Sequence, residues 1–284
     1  MCLALLSIMD CGAQTISSGG APGDEMNSGK RLLIDSAVYK VTYLLSIVKD
    51  STQNDVRTEG YGLLVIGSKS SLFTDYYIAK ADSVTTEMDA EGVVGFAQAS
   101  KLFGVLKNKV FDNQVVMNYP ETGRLTVQDE GSVRKYRYEE PVPDFGWKLV
   151  DEEKEMLGLI CRKATMRFRG RNYTAWYSEE LPFPSGPYLF GGLPGLIFEI
   201  ADDKNEYSFT LAGFENVNRP FPITITDRNV ENVSREDYMK IKKALNDNPE
   251  LNFKNIPGIE INFTPEDIKR MNSKKRPYNP IEKE

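Results

Sequence analysis

Apolar and polar residues alternate along much of the chain after residue 30. Ala37, Tyr39, Val41, Tyr43, Leu45 and Ile47 place one apolar residue at every second position, the spacing of a strand with one buried face. Residues 61–66 form a second apolar run. Val115-Val116-Met117 leads through Tyr119-Pro120-Glu121-Thr122-Gly123 into Leu125-Thr126-Val127, and Asp129-Glu130-Gly131 then separates that run from residues 133–138. Further on, Leu196, Phe198 and Ile200 precede an Asp202-Asp203-Lys204-Asn205 turn and Tyr207, Phe209 and Leu211. Strands joined by such short turns pair antiparallel, because parallel pairs need long crossovers. Helical spacing is confined to three places. Phe96, Ala99, Phe103 and Leu106 recur within 93–107; Ser234 can cap a helix carrying Tyr238, Ile241 and Leu245; and Thr264-Pro265-Glu266-Asp267 has proline at a first helical position. The pattern predicts an α+β fold, predominantly antiparallel β: a curved sheet or half-open barrel with a few helices.

The most informative stretch is 157–177. Gly170-Arg171 separates two strand-like runs and suits a two-residue type II′ turn. In that register Phe168 faces Tyr173, Met166 faces Ala175 and Ala164 faces Tyr177 on an apolar face. Arg169 with Asn172, Arg167 with Thr174, and Thr165 with Trp176 fall on the other. Trp176 then lies diagonal to Arg167 on a polar surface, where a cation–π pair or a ligand anchor can form.

The two ends read differently. Residues 2–9 are apolar and too short to span a bilayer, and Cys11-Gly12-Ala13 supplies small residues for signal-peptidase cleavage. The expected organisation is a signal peptide over 1–13, a flexible N-terminus over 14–30, a single β-rich domain over 31–271 and a polar, solvated tail over 272–284. With a leader, the protein is secreted to the periplasm or associated with the outer membrane, and no transmembrane segment is expected; lipidation at Cys11 is the alternative.

Composition narrows the chemistry. A net charge of −6 over 284 residues disfavours nucleic acid, which clustered Lys and Arg must hold by its phosphates. The chain has no histidine. No Ser-His-Asp triad, Cys-His dyad or His-ligated metal site can be built from it. Of three cysteines two lie in the leader, so Cys161 is expected to be a buried hydrophobe without a disulfide partner. No calcium-type loop and no phosphate-binding glycine motif occurs, so no metal and no cofactor is expected.

The glycine-proline run Gly186-Pro187-Tyr188-Leu189-Phe190-Gly191-Gly192-Leu193-Pro194-Gly195-Leu196-Ile197 remains to be explained. Leu193-Pro194-Gly195-Leu196 fits a type II turn that lays apolar residues across a sheet end. With Trp147, Gly158, Cys161, Lys163-Ala164-Thr165, Phe168-Arg169-Gly170-Arg171, Tyr173, Ala175-Trp176-Tyr177 and the ending Tyr278-Asn279-Pro280-Ile281-Glu282, this stretch resembles the GLPGLI family. Its name stands here as Gly192-Leu193-Pro194-Gly195-Leu196-Ile197, preceded by Gly191. Tyr188 stands where the family often has tryptophan. The resemblance implies a mainly β, secreted or envelope protein of Bacteroidota-type bacteria, and it carries over no catalytic residue.

The reading that follows is a non-enzymatic binding module for an apolar or aromatic ligand or an envelope partner. Trp176, Arg167, Arg169, Arg171, Trp147 and Tyr188 are its candidate ligand-binding residues. Two alternatives stand beside it: a structural component of the envelope, and a carboxylate-dependent hydrolase such as a glycosidase drawing on Glu179, Glu180, Glu199 or Asp202.

Overall fold

A computed structural model describes residues 31–53, 55–93, 96–131, 134–227, 229–253, 263–273 and 278–283. The expected leader and flexible N-terminus over 1–30 lie outside these residues. Among those described, thirteen strands form one sheet. Its spine is β1 (Arg31–Ile47), whose alternating Val41, Tyr43, Leu45 and Ile47 are all buried on one face. One meander leaves β1 through β2 (Thr58–Gly67), β3 (Ser71–Asp75), β4 (Asn113–Met117), β5 (Arg124–Asp129) and β6 (Lys135–Pro141). The other starts at the far edge with β7 (Lys148–Met156). It works inward through β8 (Leu159–Phe168), β9 (Arg171–Ser178), β10 (Leu196–Asp202) and β11 (Tyr207–Asn216) to β1's free side. Two short strands, β12 (Pro222–Thr226) on the first half of β1 and β13 (Val230–Asn232) parallel to β6, complete the sheet. All other pairings are antiparallel, as the short turns predict.

This order forces the sheet to curl. Ten strand spacings separate β6 from β7, about 48 Å if the sheet were flat. Yet the chain passes from Pro141 to Lys148 in seven steps, which reach at most about 25 Å. The two outer parts of the sheet must therefore approach one another, although the end strands β13 and β7 do not pair and no barrel closes. Phe145 in that crossing is buried against Phe168 and Phe190 in the concave core, 5.1 and 6.4 Å between ring centroids.

Three expected helices are present and one was not foreseen. The unforeseen α1 (Tyr76–Ala90) buries only Ile78, Ala81 and Met88, which share one face but are too few in fifteen residues to announce it. Its start is fixed by Asp75, whose carboxylate accepts the Tyr77 amide at 2.7 Å and those of Val110 and Phe111 at 2.9 and 3.1 Å. The expected helices are α2 (Phe96–Leu106), α3 (Arg235–Asp247) and α4 (Pro265–Ser273). Ser234 caps α3 as predicted, accepting from the Asp237 amide at 3.0 Å. Tyr238 on α3 stacks on Tyr138 of β6 and donates to the buried Asp129 of β5 at 2.9 Å, so α3 packs on the outer strands of the first meander. No described helix is long and apolar enough to cross a membrane.

The Leu-Pro-Gly-Leu turn departs from expectation. Gly192, not Gly195, takes the left-handed conformation, at φ 80°. Gly195 is required for a different reason: a Cβ there would stand 2.0 Å from the Ser178 carbonyl oxygen of β9. Gly195→Ala is therefore expected to lower stability by about 3 kcal/mol. Gly104→Ala, in open space on α2, is expected to raise it by about 0.5–1 kcal/mol. Thermal denaturation of the two variants, moving in opposite directions, checks both.

Candidate functional site

The site is built on the β8–β9 hairpin. Its observed register pairs Phe168 with Arg171, Met166 with Tyr173 and Ala164 with Ala175, two positions away from the predicted pairing. The turn is Arg169-Gly170 rather than Gly170-Arg171. Both residues have positive φ, 44° and 78°, which is the type I′ geometry that follows strand twist. A two-residue offset preserves the faces, since side chains alternate with period two. Tyr173, Ala175 and Tyr177 are buried inward with Met166, and Trp176 stands half-buried on the outer face. The offset changes one residue's surroundings completely. Arg171 leaves the turn, enters β9 and points into the core, where it is 3% exposed.

Residues 278–283 meet it there. The expected solvated tail does not describe this segment: Asn279, Ile281 and Glu282 are all buried. Arg171 Nε donates to the Ile281 carbonyl at 3.0 Å. Its Nη2 donates to the Asn279 side-chain oxygen at 2.8 Å and the Pro280 carbonyl at 2.6 Å. Nη1 donates to Asp202 at 2.7 Å and Glu206 at 2.6 Å. Asn279 also donates to the Val48 carbonyl just after β1, and its own carbonyl accepts from Tyr207 Oη, both at 2.7 Å. One buried guanidinium thus joins β9, the β10–β11 turn and the 278–283 segment.

A second cluster grips Glu282. Its Oε1 accepts from Arg169 Nη1 and Tyr188 Oη, each at 2.5 Å, and its Oε2 from Arg235 of α3 at 2.6 Å. Arg169 Nη2 also donates to Glu140 of β6 at 2.6 Å, so the turn of the second meander is stitched across the opening to the first. Arg169 and Tyr188 both hold left-handed backbone, φ 44° and 54°, which costs a non-glycine residue on the order of 1–3 kcal/mol. Both strained residues place their polar ends on the same carboxylate oxygen. Tyr138 Oη is buried and has no hydrogen-bond partner among the described residues. Burial first, then Glu282 and Glu140, push its pKa well above the ordinary tyrosine range, so the phenol stays protonated.

The glycine-proline motif is the floor of this cluster. Tyr43 Oη of β1 donates to the Ile197 carbonyl at 2.6 Å, and Trp147 Nε1 to the Gly191 carbonyl at 2.9 Å. Leu193, Leu196 and Ile197 are fully buried. Pro194 and Gly195 complete the bend against Ser178, while Tyr188 rises from the same loop.

The other expected residues lie elsewhere. Arg167 and Trp176 occupy the outer face. The cations over the indole are Lys154, 4.4 Å from its centroid, and Lys163 at 5.8 Å, rather than the Arg167 expected from the earlier register. Lys154 also pairs with Glu199 at 2.7 Å. Glu179 pairs with Arg162, Glu180 accepts the Ile160 amide, and Asp202 holds Arg171. Glu199 and Asp202 lie on opposite faces of β10. Cys161 is buried, and burial pushes its thiol up to about 11. Among the described residues no group of three or more metal-ligating side chains forms a candidate site. Sequence reasoning missed Tyr173, Glu206, Tyr207, Arg235, Glu140 and Glu282 as site residues. The available signal was Ile281, one large aliphatic in an otherwise polar ending.

Comparison with known proteins gives a partial match. The family model described as "Protein of unknown function (Porph_ging)" matches residues 167–199, from the end of β8 to β10. No curated protein matches the chain. Two solved structures of PNGF-II, in space groups P21 and C2, are similar at 12% and 13% identity, with TM-scores of 0.47 and 0.46. Each alignment covers 72% of this chain but only 33% and 32% of theirs, so the chain spans about a third of that protein's length.

Two outcomes follow from the charge network. Arg171→Leu would strand Asp202 and Glu206 in the core and is expected to cost about 3–5 kcal/mol in denaturant unfolding. The Glu206 carboxyl is raised by burial, but Arg171 and Lys283 outweigh this and hold it below its ordinary value of 4.5. A carboxyl depressed in the fold stabilises above its unfolded value and loses that contribution as pH falls through the folded one. The melting temperature is therefore expected to fall as pH drops below about 4.5. Glu206→Gln should melt lower at pH 7 and show a shallower decline in acid.

Proposed function

We propose that this chain is a non-enzymatic binding module of the cell envelope, related to the GLPGLI group, whose motif builds a recognition site for an extended peptide segment. The supporting observation is convergence. Arg169, Arg171 and Tyr188, three of the residues expected to bind a ligand, together with Tyr173 and Tyr207, all donate hydrogen bonds to Asn279–Glu282. The ligand chemistry this favours is a side-chain amide, three backbone carbonyls, an aliphatic side chain and a carboxylate, rather than a purely apolar molecule. Trp147 belongs to the same site as the brace of the motif loop. Trp176 and Arg167 form a separate outer surface suited to an envelope partner.

In this reading the family signature serves binding rather than bond-breaking. The aromatics of the concave face, Phe145, Phe168, Phe190 and Tyr173, pack on one another within 6.4 Å and hold the loop in shape. Secretion through the apolar leader agrees with a module whose described residues are held by their core and buried ion pairs, with Cys161 unbridged.

Hydrogen exchange read by mass spectrometry tests the site. In the full chain, residues 278–283 are expected to exchange slowly as a unit. Asn279→Ala is expected to speed their exchange at least tenfold while leaving β1 protected. Exchange of 278–283 at the rate of a free peptide in the unaltered chain would refute the reading.

A further inference from the structure

Resting on that reading, we infer that the site accepts the Asn279-Pro280-Ile281-Glu282 segment of a second copy of this chain in place of its own. Recognition is contained in four consecutive residues, three of them read by the Arg171 guanidinium and the fourth, Glu282, by the cluster around it. The Asn279 amide is read by Arg171 and the Val48 carbonyl, the Pro280 and Ile281 carbonyls by Arg171, the Ile281 side chain by burial, and the Glu282 carboxylate by Arg169, Tyr188 and Arg235. A code this short is independent of which chain supplies it.

The segment is also not a strand of the sheet. Among the described residues its backbone–backbone bond is from the Lys283 amide to the Arg169 carbonyl at 3.0 Å, so exchanging the segment leaves every strand pairing intact. The receptor is preorganised by its own fold: the strained backbones of Arg169 and Tyr188 fix the carboxylate subsite from the turn and from the motif loop. Preorganisation of this kind lowers the cost of taking a ligand from any source. Charge sets the direction of the incoming segment. Arg169 and Arg235 receive Glu282, whereas Glu206 receives Lys283 at 3.4 Å. A second copy of the chain carries the same four residues, and reciprocal exchange between two copies makes a closed, two-fold pair with the same contacts as the monomer.

Complementation between two full-length chains tests this. One carries Asn279→Ala and Glu282→Ala, leaving its receptor intact and its segment weakened. The other carries Arg169→Leu, leaving its segment intact and its carboxylate subsite weakened. Mixed at tens of micromolar and read by native mass spectrometry, the pair is expected to form a heterodimer at least tenfold more abundant than either homodimer. The peptide Tyr-Asn-Pro-Ile-Glu-Lys should compete it away, and the same peptide with Gln in place of Glu should need at least tenfold more. If the double variant does not fold by circular dichroism, Glu282→Gln alone replaces it with the same expectation. Folded chains that yield no heterodimer, or that bind the peptide while staying monomeric, would overturn the inference. Slow exchange of residues 278–283 in the unaltered chain would then still stand, so the two readings fail separately.

Discussion

A guanidinium buried in a β core is tolerable only if every donor it carries is satisfied, and Arg171 meets that condition through two carboxylates and three acceptors from a distant segment. Much else follows from it. Asp202 and Glu206 must stand at the β10–β11 turn to balance its charge. Residues 278–283 must return across some 110 positions of sequence to supply the remaining oxygens. Glu282, brought in by that return, gives Arg169, Tyr188 and Arg235 a common target, and Arg169 then ties the hairpin to Glu140 on the other meander. A charge that would be a liability alone becomes the point at which the curled sheet is drawn together.

The strands were legible wherever one face is buried and the other wet. Alternation in β1, β9, β10 and β11 translated directly into position, because a period of two leaves few alternatives. It failed for β7, Lys148–Met156, whose charged residues carry no apolar stripe, and for β3, Ser71–Asp75, buried at all five positions. The hairpin register was off by two because two turn types fit the same glycine. A type II′ turn asks for glycine first and a type I′ turn accepts it second, and only the positive φ of Arg169 decides between them. The faces survived the error, since parity rather than register assigns them.

The site was legible in its members but not in their purpose. Arg169, Arg171 and Tyr188 stood out by residue type and motif, yet their partner lies at the other end of the chain. No local pattern links Arg171 to Asn279. The polar residues around Ile281 suggested solvation because composition cannot see hydrogen bonds made at a separation of 110 residues. Gly195 likewise advertised a turn, whereas what it provides is room for the Ser178 carbonyl.

The strand that escaped sequence reading also limits the sheet. β7 is a nine-residue edge carrying Asp151, Glu152, Glu153 and Glu155, and its ladder is broken between Val150 and Glu153. An incoming strand would meet like charges and a kinked row of amides, so growth by edge-to-edge addition stops there. In an open architecture of this width, electrostatic repulsion and irregularity at the β7 rim, rather than closure, oppose fibre growth.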